Sequence, residues 1–205
     1  MGTENGSHFD FSLDPLICFE RELQRASLAI SQEPNAMSLA TVSSAGEPSI
    51  RTVLYKGMVR GGLSFYTNFE SQKSLEIEKS HKAAALFFWN VLATQVRFEG
   101  EVFKLTRKES EEYFKQRPRL SQLGAWASEQ SQKIPDRKFL EMRLAEVEKK
   151  YANQEVPCPP HWGGWSLVPL RIEFWYGQQG RLHDRYCFER NSVSTQEWIR
   201  SMKSP

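Results

Sequence analysis

Neither sign of charge dominates this sequence, and it has no cysteines at metal-binding spacing. Among its 205 residues, 27 Lys and Arg oppose 25 Asp and Glu, which gives a net charge of +2. A charge this small does not favour nucleic acid or another polyanion as a partner. The three cysteines Cys18, Cys158 and Cys187 are far apart, and none belongs to a CxxC pair. We therefore expect no metal site, and free thiols of the kind typical of the reducing cytosol.

Long apolar runs and glycine-rich phosphate loops are also missing. No apolar segment approaches the roughly 20 residues that a membrane-spanning helix needs. The opening residues MGTENGSHFDF lack the apolar core of a signal peptide, so we expect a cytoplasmic protein. Neither the Walker loop nor the dinucleotide fingerprint is present. Any bound phosphate must therefore be held by side-chain cations and hydroxyl groups.

The composition that remains is that of a globular protein. Hydrophobic residues make up 40% of the chain and aromatic residues 12%, which argues against an intrinsically disordered protein. A chain of 205 residues buries enough apolar surface to fold without disulfides or structural metals. We predict a single domain over residues 1–205, in which residues 1–12 form a loose N-terminal arm.

Strand patterns dominate the first half of the chain after one predicted helix. Asp14 and Pro15 suit the cap and first position of that helix, and apolar residues at helical spacing extend it to about residue 31. Five extended segments follow, interrupted by a short helix over residues 69–80. The predicted strands cover residues 36–43, 49–56, 63–68, 83–90 and 94–105. Gly100 marks a candidate β-bulge in the fifth strand.

Helical patterns return in the second half. Thr106 and Glu109 have the spacing of a capping box at the start of a helix. Pro118 precedes a short helix, and Asp136 suits the cap of a longer one. An apolar stripe of that longer helix is predicted to face the core, and it consists of Leu140, Leu144, Val147 and Tyr151.

The C-terminal part reads as a hairpin. Segments 166–177 and 181–190 are predicted to pair, and a short strand is expected near residues 197–200. Strands thus outnumber helices, and the helices occur in groups. This order indicates an α+β fold that is mainly β: a closed or nearly closed antiparallel barrel with peripheral helices.

The stretch RLHDRY, residues 181–186, concentrates charge between two apolar segments. If it is extended, Arg181, His183 and Arg185 share one face of the strand. Three cationic or potentially cationic groups on one face repel one another unless an anion lies among them. Solvent, a protein carboxylate or a ligand would each meet this requirement. Taken alone, the stretch is more often an exposed edge strand that its charges protect from aggregation.

Eight motifs stand in the same order as in a known enzyme family. They are RTVLYKG (51–57), FYTNFESQK (65–73), QVRFEG (95–100), YFKQRPRLSQLGAWAS (113–128), QSQKIPDR (130–137), WGGW (162–165), IEFWYG (172–177) and RLHDR (181–185). Together they resemble the pyridoxamine 5′-phosphate oxidase family over about residues 12–190. One such motif would be weak support, whereas the ordered set is specific.

The resemblance implies a fold, a cofactor and an activity. The fold is an antiparallel Greek-key split β-barrel that forms a homodimer with FMN at the subunit interface. The reaction is FMN-dependent oxidation of pyridoxamine 5′-phosphate and pyridoxine 5′-phosphate to pyridoxal 5′-phosphate, in vitamin B6 biosynthesis and salvage. Oxygen is the acceptor, hydrogen peroxide leaves, and the amine substrate also releases ammonia. Neither nucleic acid nor membrane is implied as a partner.

The resemblance also assigns cofactor contacts along the chain. FMN-binding positions are implied at Arg51, Thr52, Val53, Leu54, Tyr66, Thr67, Gln72, Lys73, Gln95, Gln130, Ser131, Trp175 and Arg185. Within this set Thr67 and Lys73 suit the phosphate, and Gln95 suits the edge of the flavin ring. The family usually has arginine where this chain has Gln72. We therefore predict weaker FMN retention than is usual in the family.

A second implied group binds the substrate. Its phosphate clamp consists of Lys56, Tyr113, Arg117 and Ser121, and Arg181 and His183 lie against the pyridine ring. Tyr113 and Arg117 are four residues apart, which places them on one face of a helix. Arg181 is the first catalytic candidate, since it would position the substrate and stabilise charge as hydride leaves; His183 is the second. The flavin supplies the redox chemistry, so no protein nucleophile is required.

Two other functions fit parts of the pattern. A split-barrel flavin oxidase of a dihydrophenazine-like substrate would keep the barrel and FMN, although the phosphate clamp favours a phosphorylated pyridine. A non-catalytic carrier of flavin or pyridoxal 5′-phosphate is compatible with Gln72. It is also compatible with the C-terminal RSMKSP, which differs from the usual family ending RLAP. The sequence does not distinguish a preference for the amine from one for the alcohol.

Overall fold

The computed structural model of the protein describes residues 9–205, in which five α-helices and nine strands form. The helices are α1 Pro15–Ala29, α2 Gln72–Ser80, α3 Arg107–Lys115, α4 Arg119–Ala127 and α5 Arg137–Lys150. The strands are β1 Ala36–Val42, β2 Pro48–Leu54, β3 Met58–Val59, β4 Gly62–Asn68, β5 Lys82–Trp89, β6 Thr94–Lys104, β7 Trp162–Tyr176, β8 Asp184–Glu189 and β9 Ile199–Met202. No helix in this part of the chain is long and apolar enough to cross a membrane.

The strands form one antiparallel sheet that divides along its longest member. Its order is β2-β1-β5-β6-β7-β4-β3, and β8 joins β7 while β9 joins β8. One edge of β7 pairs with β6. The other edge pairs with β4 over residues 162–167 and with β8 over residues 171–176. Over residues 9–205 the sheet does not close on itself. This sheet and its surrounding helices confirm the predicted α+β fold, mainly β and of the split-barrel type.

A β-bulge lies where the sequence predicts one. The register of β6 against β7 shifts between Glu99 and Gly100. A Cβ atom on Gly100 would lie 2.1 Å from the carbonyl oxygen of Val168. Only glycine fits this close approach of two backbones. Glu99 pairs with Arg171 and Gly100 with Pro169, so the extra residue of the bulge is Leu170 of β7, opposite the predicted glycine, and β7 is the strand that bends.

Alternation along the strands builds the barrel interior. In β5 the buried side chains are Ala85, Phe87 and Trp89, and between them Leu86 and Phe88 point outward. Helix α1 packs against this interior through Phe19, which is fully buried and whose ring centroid lies 4.9 Å from those of Phe87 and Phe98. Its predicted cap is confirmed, because Asp14 accepts a hydrogen bond from the Leu16 amide at 2.8 Å.

The N-terminal arm differs from the expectation where it is described. A loose arm was predicted over residues 1–12, of which residues 1–8 lie outside the described residues. From there on, Phe9 and Phe11 pack against aromatic rings of β7 and β8, and the Phe9 ring centroid lies 4.8 Å from that of Phe174. These aromatic contacts tie the arm to the barrel core.

A second, smaller core lies under helices α3 to α5. The capping box of Thr106 and Glu109 is confirmed at the start of α3. Phe114, Leu123, Tyr151, Val156 and Trp162 form the buried cluster. Of the predicted α5 stripe only Tyr151 is buried, while Leu140, Leu144 and Val147 are half-buried, because α5 packs on α4 at the periphery.

The outward side of the sheet carries two rows of residues that we call the outer face. One row runs through Thr52, Ser38, Leu86, Arg97, Glu173 and Cys187, which pair in turn across β2, β1, β5, β6, β7 and β8. The neighbouring row runs through Phe88, Gln95, Trp175 and Arg185. Phe88 is 55% exposed, so an aromatic side chain lies open on this face.

Candidate active site

A cleft of about 870 Å³ opens beside the edge strand β2. It is bounded by β2, the end of β4, the start of α2, the corner between α3 and α4, and the loop after α4. Fourteen residues implied by the family resemblance line it: Arg51, Thr52, Val53, Leu54, Lys56, Tyr66, Thr67, Gln72, Lys73, Tyr113, Arg117, Ser121, Gln130 and Ser131. The fold thus brings four distant segments of the chain to one site.

Lys73 gives one end of the cleft its charge. Its side chain is 6% exposed, and its Nζ donates to Thr67 Oγ1 and Ser71 Oγ, each at 3.0 Å. No carboxylate among the described residues forms an ion pair with it. Burial, and then the nearby charge of Arg51, lowers the pKa of Lys73 to about 8, although Glu76 acts in the opposite direction. A desolvated ammonium that lacks a counter-ion is stabilised by an incoming anion.

The loop after α4 is fastened to this end of the cleft. Gln130 Oε1 accepts a hydrogen bond from Thr67 Oγ1 at 2.8 Å and one from the Asn68 amide at 3.3 Å. Ser131 Oγ accepts from the Gln72 amide at 3.3 Å, and its backbone has a φ of 74°. Left-handed backbone at a serine is uncommon, and these hydrogen bonds hold it in place.

Glu76 accepts hydrogen bonds from polar side chains on the inner side of β2 and lies close to Arg51. The sequence analysis did not identify it. Its carboxylate is 7% exposed and accepts hydrogen bonds from Thr41, from Ser49 at 2.7 Å and from Gln72 Nε2 at 2.9 Å. Arg51 Nη2 lies 3.5 Å from Glu76 Oε2. Burial alone would raise the pKa of Glu76, but these hydrogen bonds and the Arg51 charge outweigh it and lower that pKa. The spacing of Gln72 and Glu76, one helical turn apart, was the available signal.

Arg117 stands at the other end of the cleft, and aromatic rings surround it. Its guanidinium carbon lies 4.6 Å from the ring centroid of Trp162 and 5.6 Å from that of Phe114. Its Nη1 is buried without a hydrogen-bond partner among the described residues, and burial lowers its pKa. Helix α3 ends at Lys115, so Tyr113 and Arg117 do not share a helix face as predicted; a tight turn brings both to the cleft.

The rest of the implied clamp completes this end. Lys56 is exposed just after the end of β2, and Ser121 is half-buried in the first turn of α4. The rings of Tyr66 and Tyr113 stack with centroids 3.8 Å apart. Trp162, the first residue of the WGGW motif, is buried and also lines the cleft.

Three further implied residues lie in a separate pocket on the outer face. Gln95, Trp175 and Arg185 line a pocket of about 290 Å³, together with Leu86, Arg97, Glu173 and Pro205. They do not line the large cleft of the same chain. Since β5, β6 and β7 lie toward the middle of the sheet and β2 lies at its edge, one chain keeps the two groups apart.

Arg185 is paired with a carboxylate of the protein. Its Nε and Nη2 donate to Glu173 Oε1 at 3.1 and 3.0 Å, and Nη2 also reaches Glu173 Oε2 at 2.9 Å. Arg97 Nη2 donates to the same carboxylate at 2.9 Å. Burial would raise the pKa of Glu173, yet the hydrogen bond from Arg185 and the two positive charges lower it. For Arg185, the anion that the sequence required is therefore Glu173.

The predicted extended form of RLHDRY is wrong for its first half. Gln179–Arg181 form a short 3₁₀ turn, Arg181 has a φ of 63°, and β8 begins only at Asp184. Arg181, His183 and Arg185 thus do not share one strand face, because the hairpin connection between β7 and β8 occupies these positions. Arg181 is exposed, and it lines neither the cleft nor the pocket described above.

His183 lies beside the outer-face pocket. Its Nδ1 accepts a hydrogen bond from the Gln178 amide at 3.0 Å, which leaves Nε2 to carry the proton of the neutral ring. Its ring centroid lies 4.6 Å from that of Trp175. Asp184 accepts from Gln178 Nε2 at 2.6 Å and so helps to hold the turn.

Comparisons with known proteins cover both parts of this site. Residues 23–151 match the family model described as pyridoxamine 5′-phosphate oxidase. Residues 162–205 match the model of the pyridoxine 5′-phosphate oxidase C-terminal dimerisation region. A pyridoxine/pyridoxamine 5′-phosphate oxidase of Leptospira interrogans is 49% identical over 93% of this chain and 89% of its own length.

Solved structures share the fold. PhzG from Burkholderia lata 383, in complex with tetrahydrophenazine-1-carboxylic acid, has a TM-score of 0.88 and 27% identity, and the match covers 100% of this chain and 98% of that one. A pyridoxamine 5′-phosphate oxidase-related, FMN-binding protein from Nostoc punctiforme has a TM-score of 0.75 and 17% identity over 96% of this chain and 100% of its own, which supports the fold alone. By the extent of the family models and the identity to the Leptospira enzyme, the chain belongs to the pyridoxamine 5′-phosphate oxidase family.

Proposed function

We propose that the protein is an FMN-dependent oxidase that converts pyridoxamine 5′-phosphate and pyridoxine 5′-phosphate to pyridoxal 5′-phosphate, a pyridoxal 5′-phosphate synthase. Oxygen takes the electrons, hydrogen peroxide leaves, and the amine substrate also releases ammonia. Relatives that are about half identical over nearly the whole chain carry the name pyridoxine/pyridoxamine 5′-phosphate oxidase. The observation that carries the proposal is that the buried Lys73 and the half-buried Arg117, neither of which has an ion-pair partner among residues 9–205, line a single cleft.

The donor set at the Lys73 end fits the phosphate of FMN. A phosphate monoester brings nearly two negative charges and three acceptor oxygens. Lys73 supplies the charge, Thr67 and Ser131 supply hydroxyl groups, and the start of α2 supplies backbone amides. When bound, the flavin would accept a hydride from the substrate and pass the electrons to oxygen.

The Arg117 end fits the phosphate of the substrate. Arg117 has free donors, Lys56 adds a second charge, and Tyr113 and Ser121 add hydroxyl groups. These groups would hold the substrate phosphate and so fix the pyridine ring relative to the cofactor. Cations at both ends of one cleft match a pair of phosphorylated rings bound together.

The remaining assigned residues require a second copy of the chain in this proposal. Gln95, Trp175 and Arg185 lie on the outer face, outside the large cleft, and residues 162–205 match a dimerisation region. A symmetric homodimer formed through the outer face would bring the pocket of one protomer to the cleft of its partner. Arg181 and His183 lie on the adjoining turn. We keep them as the proposed catalytic residues, Arg181 stabilising charge at the reacting carbon.

A dihydrophenazine-like substrate is the second candidate, because PhzG has the same fold over its whole length. Arg117 argues against it, because its Nη1 is buried and its guanidinium has no carboxylate partner among the described residues. A tricyclic acid has no phosphate to occupy a dianion clamp. The two substrates therefore serve as the alternative arms of one experiment.

Anaerobic mixing tests the proposal. FMN-loaded protein is mixed with pyridoxamine 5′-phosphate, and the visible flavin absorbance is followed. We expect bleaching, and on admission of oxygen we expect recovery of the absorbance with release of peroxide and pyridoxal 5′-phosphate. Bleaching by a dihydrophenazine alone would favour the second candidate, and bleaching by neither would support a carrier.

Arg117→Met supplies the site-directed arm of this experiment. Loss of a charge-assisted contact worth about 1.5–3 kcal/mol should lower kcat/KM about 10- to 150-fold. Lys115→Met removes an exposed charge that does not line the cleft and should leave kcat/KM unchanged. Equal effects of the two substitutions would contradict the assignment of Arg117.

A further inference from the structure

The two arginines of the large cleft are held in different ways. Arg51 is tied to the Glu76 carboxylate and to the hydroxyl groups of Thr41 and Ser49. Arg117 has no ion pair among the described residues, and its guanidinium lies over the Trp162 ring at 4.6 Å. Its Nη1 is buried and has no hydrogen-bond partner there. An aromatic face thus replaces the carboxylate that commonly orients a buried arginine.

The Trp162 ring is itself fixed by its neighbours. The residue is 5% exposed and opens strand β7, where its backbone pairs with Asn68 of β4. Its ring is nearly parallel to those of Tyr66 and Tyr113, with interplanar angles of 14° and 5°. The Phe114 ring packs edge-on against it at 5.0 Å. The plane of the ring beneath the Arg117 guanidinium is therefore set by the small core and by the pairing of β7 with β4.

An aromatic support leaves a guanidinium ready for an anion. A carboxylate partner would occupy N–H donors in the guanidinium plane and would cancel its charge. A ring under the face attracts the cation and leaves the in-plane donors free. In a desolvated position, the donors of such an arginine can all be offered to one phosphate group.

We propose that Trp162 is a positioning residue that acts through Arg117 to select dianionic phosphate esters over their unphosphorylated analogues. This inference rests on the proposed function and adds to it a residue that makes the cleft specific for phosphate. The competing explanation is that Trp162 only fills the small core beneath α3 and α4. The two explanations differ in whether the effect of Trp162 depends on Arg117.

A double-mutant cycle separates them. Binding of pyridoxal 5′-phosphate and of pyridoxal to the FMN-loaded protein is measured for wild type, Trp162→Leu, Arg117→Met and the double variant. We expect Trp162→Leu to weaken pyridoxal 5′-phosphate binding about 3- to 30-fold, the range of a cation–π contact, with pyridoxal binding unchanged. In the Arg117→Met background the same change should have less than about a 2-fold effect. Trp162→Phe, which keeps an aromatic face, should restore part of the loss.

Trp126→Leu is the matched control. Trp126 packs beside the same small core and donates from Nε1 to the Pro157 carbonyl at 2.7 Å, but it does not line the cleft. Its replacement should lower thermal stability without changing the preference for the phosphorylated ligand. If Trp162→Leu does not fold, Trp162→Phe in both backgrounds gives the same comparison with a smaller expected loss.

Four results would overturn the inference. A Trp162 effect that persists in full without Arg117, or that weakens pyridoxal and pyridoxal 5′-phosphate equally, would assign Trp162 to packing alone. A wild-type protein that binds both ligands equally would overturn the proposed function as well. A preference for pyridoxal 5′-phosphate that is as large in Trp162→Leu as in wild type would overturn this inference only.

Discussion

At the scale of single residues, the neighbours of a cation decide what it can bind. Arg185 donates three hydrogen bonds to the Glu173 carboxylate, so much of its charge is already compensated. Lys73 is more deeply buried and meets only hydroxyl oxygens at hydrogen-bond distance. Sequence motifs assign both residues to one cofactor. The structure assigns them different electrostatic states, and only Lys73 lacks a compensating anion among the described residues.

The state of Lys73 gives a pH dependence. The pKa of its ammonium is lowered to about 8, first by burial and then by Arg51, so the group loses its proton as the pH rises through that value. Below this pH the cation is present and would meet the proposed FMN phosphate, whereas above it FMN binding would have to recruit a proton. We expect the FMN dissociation constant of the apoprotein to increase by up to about 10-fold per pH unit above pH 8.

Lys73→Arg checks the assignment, because a guanidinium keeps its proton throughout this range. Titration of FMN fluorescence at pH values from about 7 to 9.5 should give a flat profile for this variant. A wild-type profile without an inflection would show that the protonation of Lys73 does not control FMN binding. The same inflection in Lys73→Arg would show that another group is responsible.

Gln72 leads to a second prediction at this scale. It occupies the first turn of α2 in the cleft, and its Nε2 donates to Glu76 at 2.9 Å. Gln72→Arg would add a cation, although Glu76 would compete for part of its charge. We expect FMN to bind about 10-fold more tightly, near the lower end of a charge-assisted contact.

The control for Gln72→Arg changes the net charge equally but outside the cleft. Glu78→Gln on the same helix removes an exposed carboxylate that pairs with Lys104. Equilibrium dialysis of FMN should give an unchanged affinity for this variant. Equal tightening in both variants would point to net charge, and no tightening in Gln72→Arg would remove the predicted weakness of FMN retention.

At the scale of elements, strand β7 and its partners determine where the site residues can lie. Its first half pairs with β4, whose end carries Tyr66 and Thr67 to the cleft. Its second half pairs with β8 and carries Trp175 to the outer face. The bulge at Leu170 of β7, opposite Gly100 of β6, lies near the middle of this long strand. A bulge bends and twists a strand. Here it lies between the half of β7 that borders the cleft and the half that borders the outer-face pocket.

The bulge is tested by Gly100→Ala. The added Cβ would lie 2.1 Å from the Val168 carbonyl oxygen and 2.7 Å from the Pro169 Cα, both backbone atoms that cannot move independently. We expect unfolding free energy to fall by about 1–3 kcal/mol or more, measured by urea denaturation. Gly124→Ala is the matched control, because Gly124 lies in α4 with nothing within 4 Å. That change should stabilise the protein by about 0.5–1 kcal/mol, as alanine favours helix. Similar effects of both changes would rule out the close approach as the cause.

At the scale of the whole molecule, the proposed function requires a second protomer, because the cleft and the outer-face pocket are separate within one chain. Phe88 lies on the outer face opposite Gln95 and is 55% exposed. Burial of this side chain in both copies of a symmetric interface would contribute about 3–6 kcal/mol. Phe88→Glu should therefore raise the dimer dissociation constant at least about 100-fold and weaken FMN binding along with it.

Sedimentation velocity and FMN titration on the same samples measure both effects. Leu28→Glu is the control, because Leu28 is 85% exposed on α1 and outside the outer face. It should leave the dimer and the FMN affinity unchanged. A monomeric Phe88→Glu that retains wild-type FMN affinity would contradict a cofactor site shared between protomers.

Much of the fold followed from local patterns in the sequence. The Asp14 cap, the Thr106–Glu109 capping box and the bulge glycine were each visible as a residue type at a fixed spacing. The connection between β7 and β8 was predicted less well, because RLHDRY alternates like a strand although its first half forms a turn. Residue type specifies local backbone, whereas the exact ends of a hairpin depend on the register of its partner strands.

For the site, the sequence by itself determined which side chains are available, because cations, hydroxyl groups and aromatic residues occur in ordered motifs. Tertiary structure alone decided how these side chains are grouped in space and which neighbours compensate the charges of the cations. The Glu76 contact with Arg51, the Glu173 contact with Arg185 and the Trp162 support of Arg117 join residues 25, 12 and 45 positions apart. Such contacts arise from strand register and helix packing, which no local spacing encodes. Charge compensation depends on distance in space, and it therefore became visible only once the chain was folded.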